Sequence, residues 1–234
     1  MRRDMAEIVP EISQPQQEAL RRASEISMTS IERLWALLKA VEYLESNRIS
    51  GDIVECGVWR GGSSFLVASE LANRRSFKRD LWLFDTFQGM NSPSEHDFRF
   101  DLRHAEQILQ EELGSRKSSY NWGIASLEIC QSNLLKSGYP KDKMHFVQGE
   151  VELTLEASAP PKIALARLDT DWYESTKTEL DVLMPRMVRG GVVIVDDYGH
   201  WLGARKAVDE FLDACSPVPL VNRIDYTGRM WVVP

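Results

Sequence analysis

Apolar positions along this chain follow two different periods. Ile31, Leu34, Trp35, Leu38, Val41 and Leu44 recur at helical spacing, which predicts one or two helices between about residues 15 and 47, ended by Gly51. Beyond Gly51 the pattern changes to short apolar runs bounded by turn residues. These predict strands near 52–56, 81–85, 144–148, 163–168 and 191–195. Helical patterns lie between them, including 65–71, 103–113 and 120–135. A final antiparallel pair is expected near 217–224 and 228–233, joined by Asp225-Tyr226-Thr227-Gly228. Strands alternating with helices predict an α/β fold with a mostly parallel sheet covered on both faces. No internal repeat or low-complexity linker interrupts the chain, so a single domain is expected, with a helical segment over 1–50 and the sheet domain over 51–234.

Two of the predicted strands end abruptly in carboxylates. Leu168 is followed by Asp169-Thr170-Asp171, and Val195 by Asp196-Asp197. In a parallel sheet neighbouring strand ends lie side by side at the rim where ligands bind. The acids would then share one small pocket, where that much negative charge calls for a hard divalent cation such as Mg²⁺. The plainer reading of Asp196-Asp197 alone is a helix cap and a solvated turn.

The first strand runs into a glycine-rich turn and a helix start, Glu55-Cys56-Gly57-Val58-Trp59-Arg60-Gly61-Gly62-Ser63. Glycines let backbone approach a ligand closely, and a helix N-terminus offers unpaired N–H groups to an anion. The next strand ends in Asp85, the position at which such folds hold a ribose diol. A dinucleotide fingerprint requires glycine two positions after Gly57, and Trp59 stands there. The polar, turn-rich stretch from Gln88 to about Asp101 follows that strand and reads as a lid over the ligand rim or as an exposed loop. Tyr120 and Trp122 are candidates for an acceptor wall or for core packing.

Composition narrows the class. With 234 residues, 43% hydrophobic content and no long apolar run, the chain reads as one globular α/β unit. A net charge of −7 disfavours a nucleic-acid footprint or an anionic membrane as partner. Arg2 and Arg3 are not followed by an apolar stretch, so no secretory signal is expected. Cys56, Cys130 and Cys215 show no metal-binding spacing, and reduced thiols in a cytoplasmic protein are the simplest account.

Five segments together carry a resemblance: Met28-Thr29-Ser30-Ile31-Glu32-Arg33-Leu34, Val54 to Ser63, Phe84-Asp85-Thr86-Phe87-Gln88-Gly89-Met90, Leu168 to Thr176, and Val195-Asp196-Asp197-Tyr198. In that order they resemble the macrocin O-methyltransferase family, S-adenosylmethionine- and Mg²⁺-dependent enzymes that methylate sugar hydroxyls. The similarity runs from about Met28 to the C-terminus. It implies a class I methyltransferase fold, Rossmann-like, with a seven-stranded mostly parallel sheet and an antiparallel C-terminal pair. The implied metal ligands are Asp169, Asp196 and Asp197, with Asp171 left as a ligand, a neighbouring acceptor or a cap.

For the cofactor, the resemblance implies Glu55, Gly57, Trp59, Gly61 and Ser63 around the methionine end and Asp85 on the ribose. It sets Phe87, Gln148 and Gly149 near the adenine, and Thr29 and Ser30 closing the site. Thr29-Ser30 is equally a good helix start. The related catechol-type enzymes carry a lysine three residues after the first metal Asp, where this chain has Trp172. The base is then Asp169 itself or His200, whose alternative is a surface histidine at a helix start. The implied partner is a small-molecule or glycan acceptor hydroxyl, with a homo-oligomer expected. An NAD-dependent oxidoreductase, a glycosyltransferase using Asp169-Thr170-Asp171, and a non-enzymatic binding module remain as alternatives.

Overall fold

The structure is a computed structural model that describes residues 12–112 and 123–234. Tyr120 and Trp122 therefore lie outside the described residues. Two helices, α1 (Gln14–Glu25) and α2 (Ile31–Ser46), precede the sheet. The chain then alternates β1 (Asp52–Cys56), α3 (Gly62–Asn73), β2 (Leu81–Asp85), α4 (Ala105–Glu112), α5 (Leu127–Leu134), β3 (Met144–Gln148), α6 (Val151–Ser158), β4 (Ile163–Leu168), α7 (Tyr173–Leu183), β5 (Met187–Val195), α8 (Leu202–Asp213), β6 (Asn222–Arg223) and β7 (Arg229–Val232).

The seven-stranded sheet has the order β3-β2-β1-β4-β5-β7-β6. β1 to β5 pair in parallel and β7 runs antiparallel to β5 and β6. This is the class I methyltransferase arrangement. The chain winds outward from β1 to β3 and then returns to β4 on β1's other side. The strand order thus reverses between β1 and β4, which opens a crevice at their carboxyl ends.

Each central strand is buried on both faces, as a parallel sheet between helix layers requires. Ile53, Leu83, Leu165 and Ile194 face α2 and α3, where Leu37, Val41 and Val67 pack on them. Val54, Phe84, Ala166 and Val193 face the other layer, with Leu180 of α7 and Val208 of α8. A third cluster joins α1 to α2 and α3 through Leu20, Leu38 and Phe65. Among the described residues no helix is long and apolar enough to cross a membrane.

Three elements differ from the expected ones. The strand expected at 217–224 shrinks to Asn222–Arg223, because Pro217 and Pro219 have no N–H to give a ladder. The helix expected from 120 begins, among the described residues, at Leu127 after the N-cap Ser126. β5 starts at Met187 rather than 191, the extra residues forming an irregular pairing with β4 around Ile163.

Candidate active site

One cavity of about 380 Å³ opens at the carboxyl ends of β1, β2, β4 and β5. On the β1–β2 side it is shaped by backbone. Gly57 has φ +81°, and a Cβ there would lie 2.0 Å from the carbonyl oxygen of Asp169. The ends of β1 and β4 can meet this closely only with glycine at that position. Trp59 and Phe87 also take left-handed backbone, at φ +50° and +54°, a conformation costing side-chain-bearing residues about 1–3 kcal/mol. The Asp85 carboxylate holds both in place. Val58 N–H and Trp59 N–H donate to its Oδ2 at 2.7 and 2.8 Å, and Phe87 N–H donates to its Oδ1 at 2.6 Å.

The expected cofactor residues separate into two groups. Thr29, Gly57, Trp59, Ser63, Asp85 and Gly149 line the cavity. Ser30, Glu55, Gly61, Phe87 and Gln148 do not, and each has another occupation. Ser30 caps α2 by accepting from Arg33 N–H at 3.1 Å and donates to Asp225 Oδ2 at 2.7 Å. Glu55 is buried beneath the cavity, held by Arg167 and the Ser64 hydroxyl. Gly61 caps α3 in left-handed conformation against Leu134. Phe87 packs in the core beside Phe146. Gln148 is exposed and donates to Thr86 O at 3.3 Å.

The β4–β5 side is built from charged side chains. Carboxylate oxygens of Asp169, Asp196 and Asp197 lie within 4.8 Å of one another. Two arginines meet them. Arg167, in the otherwise apolar run of β4, donates to Glu55 Oε1 at 2.8 Å and Asp169 Oδ2 at 2.7 Å. Its Nη2 lies 2.8 Å from Asp196 Oδ1, without hydrogen-bond alignment. Arg33, from the first turn of α2, pairs with Asp196 and reaches Asp225 Oδ2 at 3.1 Å. The Thr29 hydroxyl donates to Asp196 Oδ2 at 3.1 Å. The segment before α2 and its first turn therefore meet the carboxylate cluster through Thr29 and Arg33.

Burial opposes charge on several of these groups. It pushes the Asp169 and Asp197 carboxyls well above their usual range, reinforced by neighbouring aspartates and opposed by the two arginines. Asp171 is pushed up to about 8, first by burial and then by the charge of Asp169. Burial alone would lower the Arg167 guanidinium, but Asp169, Asp196 and Glu55 more than offset it and hold it well above its ordinary value. Six acids, counting Glu55, Asp171 and Asp225, gather around these two arginines. Asp197 Oδ2 is buried without a hydrogen-bond partner. A donor set of hard oxygens, excess negative charge and an orphaned carboxylate oxygen fits a divalent cation such as Mg²⁺.

The third wall belongs to α4, α8 and the 88–104 segment. Met90, Asn91, Arg99, Trp172, His200 and Trp201 are among its lining residues. Trp201 Nε1 donates to Asp171 Oδ1 at 2.7 Å, so Asp171 joins the cluster from this side with φ +70°. His200 Nδ1 lies 3.0 Å from the Tyr226 hydroxyl. Its imidazolium is disfavoured by burial and then by Arg99 and Arg33. The expected lid is tied down: Trp172 Nε1 donates to Asn91 O at 2.9 Å, Leu202 N–H to Phe98 O at 2.7 Å, and Phe100 N–H to His200 O at 2.9 Å. Arg33, Arg167 and Asp225 were not expected here. A lone arginine inside Ile163-Ala164-Leu165-Ala166-Arg167-Leu168 was the one readable signal, since a buried charge requires partners.

Residues 21–232 match the family described as Macrocin-O-methyltransferase (TylF). The chain is 33% identical over 205 residues to the 8-demethyl-8-(2,3-dimethoxy-alpha-L-rhamnosyl)-tetracenomycin-C 4'-O-methyltransferase of Streptomyces olivaceus, covering 88% of this chain and 74% of that protein. It is 30% identical over 208 residues to the Mycinamicin III 3''-O-methyltransferase of Micromonospora griseorubida, covering 88% and 77%. Among solved structures, that of the O-methyltransferase NovP superposes with a TM-score of 0.75 at 30% identity, over 89% of this chain and 82% of that one.

Proposed function

We propose, from the premise that this chain belongs to the macrocin-O-methyltransferase family and is an O-methyltransferase, that it moves the methyl group of S-adenosylmethionine to a sugar hydroxyl of a small-molecule glycoside. The observation carrying this reading is the meeting, on one cavity, of the Gly57–Ser63 turn with the Asp169, Asp196 and Asp197 carboxylates. The sugar is supported by the relatives' names, which specify a rhamnosyl-tetracenomycin and a mycinamicin. Asp169, Asp196 and Asp197 would hold Mg²⁺. When bound, such an ion acts as a Lewis acid that acidifies and orients a hydroxyl. The nucleotide-sugar and nicotinamide readings have no support from this family.

The chain's own residues supply the remaining requirements of methyl transfer. A sulfonium methyl is already electrophilic, so the protein must hold it in line with an oxygen and accept that oxygen's proton. The turn before α3 and that helix's unpaired N–H groups suit the methionine carboxylate. Asp85 fixes Val58, Trp59 and Phe87, and so shapes the bed for the nucleoside. Asp171 is the proton acceptor best supported by geometry. It lines the cavity, is not one of the three carboxylates grouped to hold an ion, and is aimed by Trp201. His200 is second, because its Nδ1 is engaged with the Tyr226 hydroxyl.

Calorimetry with S-adenosylhomocysteine, NAD and UDP-glucose tests the cofactor, and only the first is expected to bind. Transfer of labelled methyl to p-nitrophenyl α-L-rhamnoside, abolished by EDTA and restored by Mg²⁺, tests the rest. Binding of UDP-glucose in place of S-adenosylhomocysteine would refute the reading. Turnover that survives exhaustive chelation would remove the metal from it.

A further inference from the structure

Asp97 is fully buried in a segment whose sequence suggests an exposed loop. Its carboxylate is nonetheless satisfied on both oxygens. Ser94 N–H and the Ser94 hydroxyl donate to Oδ2 at 2.6 and 2.7 Å, and Tyr173 N–H donates to Oδ1 at 2.8 Å. Tyr173 is the first residue of α7, and that helix's N-cap residue, Trp172, offers no side-chain cap. Asp97 thus caps α7 from a segment more than 70 residues earlier in the chain. A carboxylate at a helix N-terminus also meets the favourable end of the helix dipole.

A second element makes room for it. Gly203, in the first turn of α8, approaches so closely that a Cβ there would lie 1.9 Å from Asp97 Oδ1. The Asp97 backbone carbonyl accepts from Ala105 N–H at 2.8 Å, tying the start of α4 to the same point. An isolated pairing of Arg99 with Trp201 extends the attachment toward α8. Trp201 is the residue that aims Asp171, and Asp171 stands two residues before Tyr173 in left-handed backbone. Such backbone persists only where surrounding contacts over-determine it.

We propose that Asp97 is a positioning residue for methyl transfer, locking the 91–104 segment to the starts of α7 and α8 so that Asp171 and Trp201 face the acceptor in fixed register. The inference rests on the acceptor reading above. In it the segment is a preformed wall of the acceptor site, and the cofactor bed, built on β1 and β2, does not depend on it.

Two substitutions attack the same contact from opposite sides. Asp97→Asn keeps the shape and removes the charge; Gly203→Ala keeps the carboxylate and drives a methyl group against it. Each is measured with the unmodified full chain for S-adenosylhomocysteine affinity, for kcat and KM on p-nitrophenyl α-L-rhamnoside, and for hydrogen exchange in peptides covering 91–105 and 170–175. Faster exchange in both peptides is expected, with kcat lower by roughly 10- to 100-fold, since small misplacements of a reacting group have effects of that size. S-adenosylhomocysteine affinity should stay within about twofold in both variants, far less than the change in turnover expected from misplacement. A merely structural role would lower cofactor affinity and turnover together, and that result overturns the proposal. Unchanged turnover despite faster exchange overturns it equally. If Asp97→Asn does not fold, Gly203→Ala decides alone. Failure of the unmodified enzyme to methylate the glycoside while binding S-adenosylhomocysteine refutes the sugar reading on which the inference stands.

Discussion

The two halves of the cavity hold their carboxylates in opposite ways. On the β1–β2 side Asp85 is held by three backbone N–H groups from its own and the adjoining turn, the farthest 27 residues away. On the β4–β5 side Asp169 and Asp196 are held by guanidinium groups, one from within β4 and one from α2, 163 residues earlier. Backbone donors are fixed once the turn forms. Side-chain donors require the whole fold to assemble before the charges are compensated. The first half should therefore tolerate changes of charge and resist changes of backbone, and the second the reverse.

Arg167→Met is expected to produce the largest effect. It strands Glu55, Asp169 and Asp196 in a buried place, and breaking such a network from one side typically costs about 3–5 kcal/mol. For a chain of this length that is a fall in Tm of roughly 6–20 °C. Mn²⁺ should recover part of it by supplying positive charge to the same oxygens. A Tm within about 2 °C of the parent, well under the loss from a broken buried network, would mean that the arginine is incidental. Gly57→Ala comes next, because Gly57 is the seam where the two halves touch. Left-handed backbone for alanine costs about 1–3 kcal/mol before the collision with the Asp169 carbonyl is added. Calorimetry should then show S-adenosylhomocysteine and Mn²⁺ affinities falling together. Loss of one alone would separate the halves at that point.

Glu179 sharpens the contrast through pH. It is fully buried on α7, accepts from the Thr170 hydroxyl at 2.9 Å, and has its other oxygen unpartnered. Burial pushes its carboxyl up to about 8 from an ordinary value of 4.5. Because the folded chain then holds a proton that the unfolded chain releases, the contribution of Glu179 to stability is fully present below about pH 4.5 and is lost progressively as pH rises toward 8. The slope is at most about 1.4 kcal/mol per unit. Glu179→Gln should flatten it, and denaturant unfolding should show a stability loss between pH 5.5 and 7.5 that is smaller in the variant than in the parent by about 2 kcal/mol. Equal slopes would place the pH dependence elsewhere.

This contrast also explains what the sequence made legible. The strands β1 to β4, the glycine turn, Asp85 and the Asp196-Asp197 pair depend on short-range pattern: apolar runs bounded by turn residues, left-handed positions and strand ends. Arg33 sits in a segment that reads equally well as an ordinary helix start, and only the docking of α2 brings its guanidinium to Asp196. Asp97 lies in a polar stretch whose composition suggests solvent, and its burial follows from contacts with Tyr173 and Gly203 that no local pattern encodes. Phe87 and Gln148, which the resemblance sets near the adenine, do not line the cavity, whereas Gly149 in the turn beyond β3 does. An apolar run locates a strand, but the turn after it decides which residue looks outward.

The smallest expected effect tests the backbone-held half. In Asp85→Asn the retained oxygen can still accept from Val58 and Trp59, while the new amide group turns its hydrogens toward Phe87 N–H. One charge-assisted bond is lost, typically about 1.5–3 kcal/mol, and part of that returns because the remaining acceptor is still bonded twice. The net should be about 1–2 kcal/mol, so S-adenosylhomocysteine affinity should fall roughly tenfold. Mn²⁺ affinity, which depends on carboxylates across the seam at Gly57, should not change. If calorimetry found Mn²⁺ binding weakened in parallel, Asp85 would act on the cluster through its long-range charge. The two halves would then form one electrostatic unit, and the distinction between backbone-held and side-chain-held acid would lose its explanatory value. If instead affinity for S-adenosylhomocysteine vanished while Mn²⁺ binding persisted, Asp85 would be in direct contact with the ribose as well as bracing the turn. Its remaining lone pair would then be the outward-facing one.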